Sequence, residues 1–145
     1  MPHGGPISVQ DTRHFDRHTQ FLAALGYAVL QPNYRGSSGY GKTFQNQGMG
    51  QWGRLIEDDI ESGMKEVIRL GLVNPDKICV YGISYGGYSA LISAINRPKG
   101  FVCAASYAGV TDLPLLFNDI ELIDSNAMRS MMEKIVGDPK TEMQE

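Results

Sequence analysis

The hydrophobic residues of this chain recur at two spacings, and each spacing predicts one kind of secondary structure. Spacing of three and four residues predicts helices, here over 13–25, 54–70, 85–96 and 125–136. Short continuous apolar runs predict strands buried on both faces, here over 27–31, 77–81 and 101–107. Strands and helices therefore alternate, which predicts one three-layer α/β domain with a mostly parallel sheet and helices on both faces.

Glycines mark the predicted helix ends. Gly26, Gly71 and Gly137 each directly follow a helical segment, as a C-terminal stop does. The expected inward residues are Phe15, Phe21, Leu22 and Leu25 in the first helix and Ile56, Ile60, Met64, Val67 and Ile68 in the second. Beyond residue 111 the pattern weakens, so that 112–116 is predicted as a turn and the step at 138–139 could open a further helix.

A glycine-rich stretch separates the first predicted strand from the second long helix. Residues 33–53 contain six glycines and no regular apolar spacing. Such a composition predicts a long surface loop, and loops of this length in compact domains are commonly functional.

Composition narrows the class of protein. The formal charge is −3, from 13 basic and 16 acidic residues, and 42% of the 145 residues are apolar. These values are typical of one folded domain and exclude a disordered chain. Basic residues are scattered and no apolar run approaches the roughly 18 residues of a membrane span, so neither a nucleic acid nor a membrane is an expected partner.

The two cysteines bear on the compartment. Cys79 and Cys103 both lie inside apolar runs, which predicts buried free thiols in a reducing environment. Since the first thirty residues show no signal-peptide pattern, the expected location is cytoplasmic.

The segment from Gly82 to Gly87 carries the clearest chemistry. It contains G-x-S-x-G between a predicted strand and a predicted helix, the setting of a nucleophile elbow. Glycines two positions either side of Ser84 leave room for a tight turn. Ser84 is therefore expected at a helix N-terminus with an exposed hydroxyl, and the backbone amide of Tyr85 is expected to face a developing oxyanion.

A second motif lies near the start of the chain. In the segment His3-Gly4-Gly5-Pro6, the amides of Gly4 and Gly5 can point at the same oxyanion if a strand end delivers them there. His3 is expected to orient this loop rather than to act as a base.

Four segments together resemble the catalytic domain of the prolyl oligopeptidase family of serine peptidases, and most of all its acylaminoacyl and dipeptidyl peptidases. They are HGGP at 3–6, GYAVLQPNYRGSSGYG at 26–41, WGRLIEDDI at 52–60 and NPDKICVYGISYGGYSAL at 74–91. The resemblance extends to about residue 112 and implies an α/β-hydrolase fold.

The resemblance also implies an activity. Ser84 would be the acylated nucleophile, with the backbone amides of Tyr85, Gly4 and Gly5 as oxyanion donors, in hydrolysis of a short peptide near its N-terminus. No metal or other cofactor is implied. The family's β-propeller domain is not encoded in these residues, and the full-length protein could form a homo-oligomer.

The family's acid and base have no counterpart at the expected positions. On this fold the order is Ser, then Asp or Glu, then His, yet all three histidines precede Ser84. Asp112 could serve as the acid, although capping the following turn is the more ordinary role for such a residue. The expectation is a partial domain, 1–145, truncated at both ends and inactive in isolation.

Several other side chains have two readings. Tyr85, Tyr88, Tyr107 and Trp52 could line a substrate pocket beside Ser84, with Trp52 expected in the core instead. Arg35 could bind substrate or tie the glycine-rich loop to a carboxylate. Two rival functions remain open: a carboxylesterase or lipase on the same fold, and an inactive remnant or interaction module.

Overall fold

The computed structural model describes residues 1–118 and 126–137, in which six α-helices and two strands follow one another. In chain order these are α1 (Arg17–Ala24), α2 (Lys42–Asn46), α3 (Leu55–Arg69), β1 (Cys79–Ile83), α4 (Tyr85–Asn96), β2 (Cys103–Tyr107), α5 (Leu113–Asn118) and α6 (Asn126–Val136), with a 3₁₀ turn at Pro75–Lys77 before β1. None of the described helices is long and apolar enough to cross a membrane.

A parallel strand pair joined by α4 forms the centre of the fold. β1 and β2 pair in parallel, with Gly82 opposite Ser106 and Ile83 opposite Tyr107, and α4 packs against both strands. The predicted parallel α/β arrangement is confirmed. The prediction of a third strand at 27–31 is wrong: among the described residues this segment pairs with no other strand. Burial of β2 on both faces was also wrong, since all five of its residues are exposed.

The cysteine prediction fails. Cys79 and Cys103 face each other in the strand register with their Cα atoms 4.7 Å apart, and they form a disulfide. This separation lies in the range that disulfides require, whereas sequence alone does not give the register that creates it. Both residues are exposed rather than buried. The prediction of buried free thiols is therefore wrong, and the two cysteines do not support a reducing compartment.

The two longest helices follow their sequence patterns closely. α4 begins and ends where predicted, and α3 differs from the prediction by one residue at each end. α3 ends before Gly71, whose φ of +68° is a conformation that favours glycine. Its inward face carries Ile56 and Ile60, both buried as predicted, while the later apolar residues of the helix are only half-buried.

The first helix is shorter than predicted. α1 begins at Arg17 because Asp16 is extended and its carboxylate accepts a hydrogen bond from the Thr19 amide at 2.7 Å. Its expected inward stripe is wrong: Phe15, Phe21 and Leu25 are 78%, 65% and 60% exposed. Spacing shows which residues share a helix face, but not whether a partner covers that face.

The end of the described chain also differs in part. Instead of a turn at 112–116, the short helix α5 forms, and the Asp112 carboxylate caps it by accepting from the Leu115 amide at 2.7 Å. α6 agrees with the predicted helix, and Gly137 follows it with a φ of +120°. The predicted helix start at 138–139 lies outside the described residues.

The glycine-rich loop is more buried than predicted. Residues 33–53 contain α2, and the side chains of Tyr34 and Ser37 are 1% and 0% exposed. The loop pairs locally with the segment before α1, because Ser8 N–H donates to the Gly36 carbonyl and Ser38 N–H to the Val9 carbonyl. Glycines allow this close backbone packing, so part of the loop belongs to the interior.

The core lies where this loop meets α3, α4 and the C-terminal helices. Its buried members are Tyr34, Trp52, Ile56, Ile60, Tyr85, Phe117 and Val136. Trp52 is therefore a core residue, as expected. Four of the seven are aromatic, and two of them, Tyr34 and Trp52, pack against the ring of Tyr85, the residue that follows Ser84.

Candidate active site

Ser84 lies on a strained turn between β1 and α4. It has a φ of +57°, which is unusual for a residue other than glycine, and its side chain is exposed. Its amide donates to the Tyr107 carbonyl at 3.0 Å, and its carbonyl accepts from the Gly87 and Tyr88 amides. The turn is thus tied to β2 on one side and to α4 on the other.

Glycines around Ser84 are required by close backbone packing. A Cβ at Gly82 would overlap the Gly86 carbonyl, and a Cβ at Gly86 would overlap the Pro2 carbonyl. At Gly87 a Cβ would lie 2.6 Å from Ser106 Oγ, on the neighbouring strand. The elbow therefore packs against both β2 and the segment that contains the HGGP motif.

The HGGP loop lies directly against the Ser84 turn. A Cβ built on Gly4 would lie 3.2 Å from the Ile83 carbonyl and 3.6 Å from Ser84 Cβ. Gly5 has a φ of +132°, a conformation that L side chains rarely adopt. The two motifs, which are about eighty residues apart in sequence, are therefore neighbours in space, as the oxyanion hypothesis requires.

His3 anchors this loop. Its Nδ1–H donates to the Gly4 carbonyl at 2.7 Å, so Nε2 is left to accept from the Ser37 hydroxyl at 2.8 Å. The side chain is 7% exposed, and burial lowers the His3 pKa. A buried neutral imidazole with both nitrogens engaged orients the loop, as expected, and is not available as a base.

Tyr34 connects the loop to the core. Its hydroxyl donates to the His3 carbonyl at 2.6 Å, and its ring stacks on the His3 ring with centroids 4.2 Å apart. Sequence reasoning did not single out Tyr34 or Ser37. The many glycines around these two residues predict a surface loop, so the sequence gives no sign that the loop buries both side chains.

Tyr85 has two parts with different surroundings. Its backbone is the first residue of α4, where the amides have no partner inside the helix. Its side chain is 1% exposed and packs edge-on against Trp52 with centroids 4.6 Å apart. A buried ring offers no surface to a substrate, so this placement argues against the expected side-chain contact and leaves the amide's role open.

Glu57 is a buried carboxylate that sequence reasoning missed. It is 1% exposed, and its Oε1 accepts from the Tyr85 hydroxyl at 2.8 Å. Burial raises the Glu57 pKa more than this hydrogen bond lowers it. A signal was present: Glu57 precedes Ile60 by three residues and Met64 by seven, which places it on the same helix face.

The raised pKa predicts how Glu57 affects stability. Between its unfolded and folded pKa values the folded state holds the extra proton, so the free energy of unfolding falls as pH rises through that interval. Glu57→Gln should remove this decline, so that the stability of the variant relative to the wild type should increase as the pH is raised above the ordinary pKa of a glutamate. Urea unfolding at several pH values tests this. A variant whose free energy of unfolding falls relative to that of the wild type as the pH rises would contradict this prediction.

Tyr88, Tyr107 and Arg35 are the remaining candidates for substrate contact. Tyr88 is half-buried and packs on Trp52 with centroids 5.0 Å apart, and burial raises the pKa of Tyr88 to about 12. Tyr107 is 65% exposed at the end of β2. Arg35 instead holds Asp59 with Nε and Nη2 at 2.7 and 2.6 Å, so the predicted tie to a carboxylate is confirmed.

The Arg35 to Asp59 pair should contribute measurably to stability. The Asp59 carboxylate also accepts from the Arg35 amide at 2.9 Å, so Asp59→Ala removes three hydrogen bonds. We expect a loss of about 2 kcal/mol in the free energy of unfolding, measured with urea. Asp58→Ala is the matched control, since its more exposed pair with Arg97 should contribute under about 1 kcal/mol. Equal losses would contradict this assignment.

Known proteins resemble this chain over most of its length. The model of the prolyl oligopeptidase family matches residues 13–142. Dipeptidyl aminopeptidase BIII of Pseudoxanthomonas mexicana is 33% identical over 142 residues, which is 98% of this chain and 20% of that protein. Dipeptidyl peptidase family member 6 of Caenorhabditis elegans is 38% identical over 113 residues, 78% of this chain and 15% of that protein.

Solved structures give the same answer for the fold. The acylaminoacyl peptidase of Pyrococcus horikoshii superposes with a TM-score of 0.81 at 27% identity, covering 97% of this chain and 22% of that one. A puromycin-hydrolyzing peptidase of Mycobacterium tuberculosis gives a TM-score of 0.84 at 25% identity, covering 98% and 21%. The chain spans about a fifth of the length of these proteins. The predicted α/β-hydrolase fold and the resemblance are confirmed, and the chain belongs to the prolyl oligopeptidase family of serine peptidases.

Proposed function

We propose that Ser84 is the acylated nucleophile of a peptidase that cleaves short peptides near their N-terminus. The observation that carries the proposal is the exposed Ser84 side chain on a strained turn, with Gly4 packed against that turn. The names of the relatives, dipeptidyl peptidases and acylamino-acid-releasing enzymes, support this class of substrate.

The proposed reaction proceeds in two displacements. Ser84 Oγ forms a bond to the peptide carbonyl carbon as its proton passes to a base, and the C–N bond then breaks as the amine leaves with a proton. Water hydrolyses the resulting ester and restores the serine. The amides of Tyr85 and of the Gly4-Gly5 pair donate to the carbonyl oxygen while it carries negative charge.

We place the base and the acid of this reaction outside the described residues. His3 is buried with both nitrogens bonded, and within residues 1–118 and 126–137 no histidine or carboxylate bonds to the Ser84 hydroxyl. Asp112 is occupied in capping α5. A serine needs both partners for full activity, so the full-length protein is the material to assay.

A comparison of substrates tests the proposed class. The full-length protein should hydrolyse aminoacyl and acylaminoacyl amides such as p-nitroanilides, and short acyl esters as well, since esters have the better leaving group. A protein that cleaves only esters would be a carboxylesterase on the same fold. A folded protein that cleaves neither would be an inactive member of the family, and both outcomes contradict the proposal.

A further inference from the structure

In the proposed mechanism two backbone segments donate to the oxyanion, and they come from parts of the chain about eighty residues apart that lie against each other in the fold. The amide of Tyr85 belongs to α4, whereas those of Gly4 and Gly5 belong to a loop near the start of the chain. Donors must lie within about 2.7–3.1 Å of the oxygen to stabilise it. Something in the structure therefore has to fix the spacing between the two segments.

Tyr34 contacts both the HGGP loop and the start of α4 from the core side. Its hydroxyl donates to the His3 carbonyl at 2.6 Å, one residue before Gly4, and its ring stacks on His3. On the other side its ring meets the ring of Tyr85 with centroids 5.8 Å apart. Among the described residues, Tyr34 is thus a direct bridge between the residue before the glycine pair and the residue after Ser84.

The bridging side chain is buried and keeps its proton. Tyr34 is 1% exposed, and burial raises its pKa far above the ordinary value for tyrosine, so the hydroxyl remains a donor at all working pH values. Ser37 in the same loop holds His3 Nε2, and Glu57 holds the Tyr85 hydroxyl. Each end of the bridge therefore has a second buried attachment.

We infer that Tyr34 is a positioning residue whose hydroxyl bond to the His3 carbonyl sets the spacing between the two oxyanion donors. The inference rests on the proposed function of Ser84, because it concerns the geometry of that same site. It explains why a glycine-rich loop distant from Ser84 in sequence buries a tyrosine beneath the active-site turn.

The test is the rate at which a fluorophosphonate probe labels Ser84 in the full-length protein, separated into the maximal rate kinact and the apparent affinity KI. The phosphoryl oxygen of the probe occupies the position of the oxyanion as Ser84 Oγ bonds to phosphorus, its proton passes to the base, and fluoride leaves. Tyr34→Phe should lower kinact about tenfold, part of the 100-fold or larger loss from removing an oxyanion donor. KI should change by less than about twofold, since ground-state binding is untouched.

Two further variants make the result specific. Tyr81→Phe is the matched control, because its hydroxyl only touches the exposed His18 ring at 3.4 Å, and it should label at the wild-type rate. Ser37→Ala loosens His3 from its other side and should lower kinact in the same direction as Tyr34→Phe. It also keeps the test valid if Tyr34→Phe is too unstable to assay.

The outcomes separate this inference from the proposed function. If wild-type protein is labelled at Ser84 and a folded Tyr34→Phe keeps the wild-type kinact, Tyr34 does not position the donors; where Tyr34→Phe is too unstable to assay, an unchanged kinact in Ser37→Ala overturns the inference. A raised KI with unchanged kinact, or an equal loss in Tyr81→Phe, overturns the inference in the same way. If the wild type is not labelled at Ser84, the proposed function itself fails.

Discussion

Gly82→Ala is expected to destabilise the domain by about 3 kcal/mol, because an added methyl group has no space at this position. Its Cβ would overlap the Gly86 backbone carbonyl, which cannot rotate away as a flexible side chain would. Either β1 or the first turn of α4 has to move, and both carry the Ser84 turn. Urea unfolding should show the loss, and amide hydrolysis should fall with it.

Gly63→Ala is the matched control for this change. Gly63 lies inside α3, and a Cβ there would meet no atom closer than 3.7 Å. Alanine is the better helix former, so this variant should gain roughly 0.5 to 1 kcal/mol. A Gly82→Ala protein as stable as Gly63→Ala would show that the turn is not packed as described.

Ser84→Ala is expected to lower kcat for amide hydrolysis by about 10⁶-fold, the size of effect that follows removal of a serine nucleophile. Binding should persist, because the donors and the surrounding side chains are unchanged. Hydrolysis of an aminoacyl p-nitroanilide, with KM and kcat separated, measures both quantities. An Ala variant that retains a tenth of the wild-type kcat would contradict a nucleophilic role.

Two companion variants exclude unfolding as the cause of that loss. Ser84→Gly should be equally inactive yet about 1 kcal/mol more stable, because glycine adopts a φ of +57° without the strain that serine carries. Ser62→Ala changes an exposed serine of α3 whose hydroxyl only donates to the Asp58 carbonyl, and it should retain full activity. A Ser84→Gly protein that is more stable but inactive would show that the serine at position 84 serves catalysis rather than stability.

Sequence alone predicts the elements whose signals are local. The bounds of α4 are predicted correctly because the spacing of Gly82, Ser84 and Gly86 is typical of one tight turn between a strand and a helix. α3 was predicted to within one residue because its apolar spacing is regular and Gly71 ends it. The pairing of the elbow with the HGGP motif also follows from sequence, since both motifs are typical of one kind of site.

Features that depend on a distant partner were beyond prediction. The predictions of a strand at 27–31 and of a buried face on α1 were wrong because hydrophobic spacing does not show whether another element covers a segment. Phe15, which is exposed, illustrates this. The disulfide between Cys79 and Cys103 needs the strand register. Burial of Tyr34 and Glu57 depends on how the glycine-rich loop folds over α3 and α4, which is a property of tertiary packing.

The central claim is that the hydroxyl of Ser84 accepts an acyl group, and covalent labelling tests it most directly. Full-length protein treated with a fluorophosphonate probe, digested and analysed by mass spectrometry should carry the adduct on the peptide containing Ser84. Ser84→Ala protein should carry none. An adduct on another residue, or labelling that persists in the Ser84→Ala protein, would contradict the account.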